Sequence, residues 1–217
     1  MRDLYRDQLD ATIDALVSMT RAVQTATHRA TEALLSADAG LAEQVILADA
    51  AIDREREAVE ERTFELLALQ QPVAGDLRML VAALRMSGEL ERMGDLAVHV
   101  AKVARLRYPE KAVPAEIEGT VRAMAKAAEE MVDSAAQVIE TRDVAAAELL
   151  EAKDEQMDRL RRSAFRQMLS DDWGAGVEGA IDMALLGRYY ERIADHAVSM
   201  GRRIVFLVTG QNPVHVG

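Results

Sequence analysis

Leu90-Glu91-Arg92-Met93-Gly94-Asp95-Leu96-Ala97 returns one hundred residues later as Tyr190-Glu191-Arg192-Ile193-Ala194-Asp195-His196-Ala197. Glu, Arg, a Met/Ile position, Asp and the closing Ala are shared. Self-similarity at a fixed offset marks a chain built from two copies of one unit. In each copy the acids stand at i and i+4, so they share one face if the segment is helical. The stretch that reveals the repeat is therefore also the first place to look for chemistry.

The composition around that stretch favours helices. Half of the 217 residues are hydrophobic and only 4% are aromatic, so Ala, Leu, Val and Met supply the apolar mass. Strands draw on aromatic and β-branched residues, whereas this mixture suits helices packed closely through small side chains. The net charge of −11 repels phosphate backbones and argues against nucleic-acid binding, while suiting cations or a basic protein partner. The absence of Cys excludes disulfides, thiol catalysis and thiolate-held clusters. The start, Met1-Arg2-Asp3-Leu4-Tyr5-Arg6-Asp7, has no apolar core of a signal peptide. The apolar run Ile204 to Val208 is far too short to insert in a membrane. These features predict a soluble, cytoplasmic protein.

Periodicity and breakers predict six helices, over about 3–35, 41–70, 73–107, 115–140, 144–169 and 177–208. Ser36 to Gly40, Gln71-Pro72, Thr141 to Asp143 and Asp171 to Gly176 interrupt the pattern, and Pro109 and Pro114 bracket a linker at the midpoint. Three helices, a linker and three helices again predict an all-α fold of two tandem three-helix bundles, packed around a pseudo-twofold axis. The expected units are 1–109 and 110–211, followed by a tail at 212–217. Short connections make consecutive helices antiparallel.

The third helix reads as apolar on two sides. One stripe is Met79, Ala83, Met86, Leu90, Met93, Ala97, Val100 and Ala104. The other begins with Leu77, Val81, Leu84 and Gly88 and then becomes Glu91 and Asp95, with His99 after them. A helix apolar on both sides is central in its bundle. The carboxylates are thus expected at core-type positions. A second i, i+4 spacing, Asp49/Asp53 and Asp154/Asp158, lies early in the second and fifth helices. Antiparallel packing brings Asp49 and Asp53 to Glu91 and Asp95, and Asp154 and Asp158 to Glu191 and Asp195. Four converging carboxylates must take up protons or bind a cation, because like charges repel. An all-oxygen set suits Mg²⁺, Ca²⁺ or Mn²⁺, with iron also open. The competing reading is ordinary solvated or ion-paired acids. Arg188 precedes Glu191 by three and is placed to neutralise it, and Lys102 shares a side with Asp95.

The remaining candidates are weaker. His28, His99, His196 and His215 form no Glu-x-x-His pattern of the kind used by di-iron bundles. Trp173 reads as a loop anchor, and Met79, Met86 and Met93 as core filler. The sequence holds no phosphate loop or nucleophile motif, so no catalytic residue is assigned.

Gln71-Pro72-Val73-Ala74-Gly75-Asp76-Leu77-Arg78 with Leu90-Glu91-Arg92-Met93-Gly94-Asp95 resembles the first half of the PhoU family, the phosphate-specific transport system accessory and regulatory proteins. Glu191-Arg192-Ile193-Ala194-Asp195-His196-Ala197 is similar to its second signature, although the second half lacks the Gln-Pro. The resemblance implies a cytoplasmic negative regulator of the phosphate-starvation response and of phosphate uptake. It implies an adaptor between a phosphate ABC transporter, through its ATPase subunit, and a sensor histidine kinase, and a homodimer. By position it carries metal ligation to Asp49, Asp53, Glu91, Asp95, Asp154, Asp158, Glu191 and Asp195. The ion stays open among iron, magnesium, manganese, calcium and zinc. A di-iron or ferritin-like metalloenzyme and a purely structural helical dimer are the alternatives.

Overall fold

The computed structural model describes residues 2–211, so the expected tail at 212–217 lies outside the described residues. Six helices follow one another: α1 (Arg2–Ser36), α2 (Ala39–Gln70), α3 (Ala74–Arg107), α4 (Glu118–Thr141), α5 (Val144–Met168) and α6 (Gly176–Thr209). The fold is all-α, as expected.

The breaks between helices have local causes. Asp38 caps α2 by accepting a hydrogen bond from the Leu41 amide at 2.9 Å, and the α1–α2 break shrinks to Ala37 and Asp38. Gln71 takes a left-handed conformation after α2, just ahead of Pro72. Asp143 caps α5 through the amides of Ala145 and Ala146, directly after the left-handed Arg142. Gly210, at φ 73°, closes α6. The fourth helix starts three residues later than expected. The Ile117 amide bonds to the Pro114 carbonyl in a turn, and regular helix begins only at Glu118.

Helices α1, α2 and α3 pack on one another, as do α4, α5 and α6. The two bundles meet where α1 lies on α4 and α3 lies on α6. Among the described residues, α2 touches only α1 and α3, and α5 touches only α4 and α6. Helices α1, α3, α4 and α6 thus form the centre, with α2 and α5 as flanks. The stripe Met79 to Ala104 of α3 is buried throughout. Thr12, Thr20, Thr27 and Thr31 enter the centre from α1 because each hydroxyl donates to the carbonyl four residues back. Thr31 also meets the buried Tyr190 hydroxyl of α6 at 2.9 Å.

The second stripe of α3 differs from the expectation. Leu77 is 42% exposed, and Val81, Leu84 and Gly88 are only half-buried. Leu69, expected on the apolar side of α2, is also exposed. Both departures sit at or near the α2–α3 hairpin, where Tyr5, Arg6 and Leu9 of α1 meet the Asp76 and Met79 side of α3, and Leu69 and Leu77 are left exposed. The carboxylates therefore line a rim between α2 and α3 rather than the core.

The α3–α6 seam is antiparallel: Glu89 meets Ser199, His99 meets Tyr189 and Arg107 meets Asp182. This register centres level with Gly94 and Ala194, the equivalent positions of the two motifs, as a twofold relation requires. The seam has diverged around that axis. Glu89 contacts His196, Ser199 (3.1 Å) and Arg203 (2.7 Å). The equivalents of these four in the other repeat are Tyr189, Leu96, His99 and Val103, and there His99 stacks on Tyr189 with ring centres 5.3 Å apart.

Candidate metal centre

Asp49 and Asp53 project from the third and fourth turns of α2, and Glu91 and Asp95 from the middle of α3. The antiparallel hairpin brings all four together. Gly94 makes the approach close: a Cβ there would stand 3.2 Å from Asp49 Oδ1 and 3.1 Å from Ile52 Cδ1. Burial pushes the Asp49 carboxyl up to about 6, and Asp53, Asp95 and Glu91 push in the same direction against Lys102. The second repeat reproduces this. Burial, Asp195, Asp158 and Glu191 raise Asp154 to about 6, with Arg202 opposing. Burial and then Glu191 also raise Asp195.

Each quartet is an all-oxygen cluster whose members disfavour one another's charge, and a hard divalent cation would relieve that repulsion. The donor chemistry thus fits an ion held by Asp49, Asp53, Glu91 and Asp95, and by Asp154, Asp158, Glu191 and Asp195. Among the described residues, no three acidic or histidine side chains are already set around one point. The carboxylates turn instead to arginines. Arg92 lies 3.6 Å from Glu91 and 3.8 Å from Asp95, and Arg162 lies 3.6 Å from Asp158. Glu191 is buried and engaged by both Arg161 and Arg188.

The PhoU domain family model matches residues 16–104 and again 121–204. The chain belongs to the PhoU family. The phosphate-specific transport system accessory protein PhoU homolog 1 of Mycobacterium leprae is 44% identical over 213 residues, which cover 98% of this chain and 96% of the relative. The PhoU homolog of Aquifex aeolicus is 33% identical, covering 96% and 94% of the two chains. The crystal structure of PhoU from Pseudomonas aeruginosa superposes with a TM-score of 0.87 at 28% identity, covering 95% of this chain and all of the other. The phosphate transport system regulatory protein PhoU from Streptococcus pneumoniae matches with the same score at 25% identity, covering 97% and 99%.

Within this PhoU fold, the Arg188–Glu191 pair read from the sequence is present. Arg161 is the partner that sequence reasoning missed. It stands seven residues after Asp154 and so on the same helical face, a spacing that would have revealed it. The histidines take structural places. His28 pairs with Glu129, His99 stacks on Tyr189 and His196 sits against Glu89. His215 lies outside the described residues. The Trp173 indole donates to the Gly176 carbonyl at 2.8 Å and anchors the α5–α6 loop, as expected. No helix is long and apolar enough to cross a membrane among the described residues.

Proposed function

We propose that this chain is a non-enzymatic cytoplasmic adaptor that restrains phosphate uptake and the phosphate-starvation response. In this reading it works as a homodimer between the ATPase subunit of a phosphate ABC transporter and a sensor histidine kinase. Hard divalent cations or iron on the carboxylate quartets order the faces that dock. The observation that carries the reading is the pair of matched quartets in the two repeats of a PhoU-family chain. The names of the relatives, accessory and regulatory proteins of phosphate transport, support it. The acid surface, at net charge −11, suits docking onto basic partner faces.

The test is alkaline phosphatase activity in abundant phosphate, in a strain lacking this gene and any second gene of the family. High activity, returned to low by the wild-type gene, is expected; low activity in the deleted strain would refute regulation. The Glu91→Gln, Asp95→Asn double variant should bind less metal, and unchanged metal content would remove those ligands from the reading.

A further inference from the structure

We infer that the two quartets are not equivalent: the first is the cation site of this chain, and in the second the guanidinium groups of Arg161 and Arg188 take the place of the ion. This rests on the proposed reading that the quartets hold metal. The repeats align helix by helix across the site, at one offset for α2 with α5 and another for α3 with α6: Asp49 with Asp154, Asp53 with Asp158, Arg56 with Arg161, Glu60 with Phe165, Gly88 with Arg188, Glu91 with Glu191 and Asp95 with Asp195. These seven positions follow the helical repeat along one stripe of each hairpin. They carry a net −4 in the first repeat and −2 in the second.

Both repeats keep the arginine at the third of these positions, but its partner differs. In the first repeat Arg56 Nη1 donates to Glu60 Oε1 at 2.7 Å, one turn further on, which holds the guanidinium on α2. In the second repeat Phe165 replaces that carboxylate. It offers Arg161 an aromatic face at 5.7 Å but no anion, and the guanidinium crosses to Glu191 Oε1. Arg188 then takes Glu191 Oε2. Both oxygens of a buried carboxylate are thus committed to internal cations. Removing a buried charge from its partners is strongly unfavourable, so an incoming ion must compete with both arginines.

In the first repeat Glu91 meets the exposed Arg92 at 3.6 Å, a looser contact than the two close pairs on Glu191. Gly88 stands where Arg188 stands, and no atom lies within 4 Å of where its Cβ would be. A groove of about 530 Å³ opens there on the Glu91 side of the quartet, lined by Gly88, Glu60, Glu89 and Glu91 and by Arg56, Arg85 and Arg92. Glu60 and Phe165 therefore act as specificity-determining residues: one parks the arginine, the other releases it onto the ligand.

Titration calorimetry of the full chain with Mn²⁺ alone tests this. The wild type should show one tight site per chain and a second at least about tenfold weaker, as two extra positive charges beside a divalent ion require. Glu60→Phe with Gly88→Arg should abolish the tight class. Phe165→Glu with Arg188→Ala should create a second tight class. None of the four changes removes a proposed ligand, and a helical melt by circular dichroism checks folding. Two equal classes in the wild type, or swaps that leave the count of tight sites unchanged, would overturn the inequivalence while leaving metal binding standing. No Mn²⁺ bound by the wild type or by either variant would overturn both.

Discussion

Asp49→Asn should make the metal-free protein more stable, because the native carboxylate is held in unfavourable surroundings. Burial and three neighbouring carboxylates raise Asp49 from 3.8 to about 6. Above pH 6 the folded state carries a charge that the unfolded chain solvates better. A shift of about two units corresponds to about 3 kcal/mol as an upper bound. Asp49 is only half-buried, so solvent screening leaves roughly 1–2 kcal/mol. For a chain of this size that amounts to roughly 3–6 °C in Tm. The asparagine amide keeps the shape and can donate to the surrounding carboxylates. The sign with pH follows from linkage. A raised acid contributes stability that is fully present below its unfolded value, near 4, and is lost as pH rises through about 6. The advantage of the variant is therefore full at pH 7.5 and vanishes by about pH 4. The assay is thermal unfolding followed by circular dichroism, with a chelator present, at pH 4 and 7.5. A Tm that falls or stays level at pH 7.5, or a gain that persists at pH 4, would refute the electrostatic argument. With saturating Mn²⁺ the order should reverse, since the variant loses a ligand.

Three further outcomes are expected. Glu89→Ala should destabilise by about 2–4 kcal/mol in a urea melt, because His196 and Arg203 lose their shared acceptor within the seam. Burial alone would raise the Glu89 carboxyl, but hydrogen bonds from His196, Arg203 and Ser199 pull it down to about 2, so its contribution is present above about pH 4.5 and disappears as pH falls through 2; a wild-type melt with no loss specific to that range, relative to the variant, would contradict this. Gly201→Ala should lower Tm measurably despite the better helix propensity, since its Cβ would stand 2.9 Å from Leu150 Cδ1 and 3.0 Å from the Ala147 carbonyl oxygen. Gly94→Ala should weaken Mn²⁺ binding at the first site by pressing on Asp49, with a change in stability within about 1 kcal/mol as helix propensity offsets the crowding.

The number, order and pairing of the helices were legible in the sequence because breakers interrupt a strong helical period at each hairpin. Repetition of the Glu-Arg motif also pointed to two like halves around a pseudo-twofold axis, although not to which helices meet across it. Two things were less visible. Leu69 and Leu77 carry the right period for burial, yet which side of a hairpin end the third helix covers depends on how that helix leans on the pair, which periodicity does not encode. The partners of the acids were only half visible. Arg188 announced itself three residues from Glu191, whereas Arg161 reaches the same carboxylate from another helix. Choosing between Glu60 and Glu91 as the destination of its counterpart Arg56 needs side-chain geometry.

The divergence of the α3–α6 seam bears on what the duplication has become. Two first repeats joined across that seam would set each Glu89 against Leu96, His99 and Val103, leaving two carboxylates without a guanidinium. Two second repeats would crowd His196 and Arg203 toward Tyr189 with no anion at all. A self-complementary surface of the kind that symmetric pairs use has been replaced by a matched pair of unlike faces. The halves are therefore no longer interchangeable: each is the specific complement of the other, and neither can be supplied by a second copy of its neighbour.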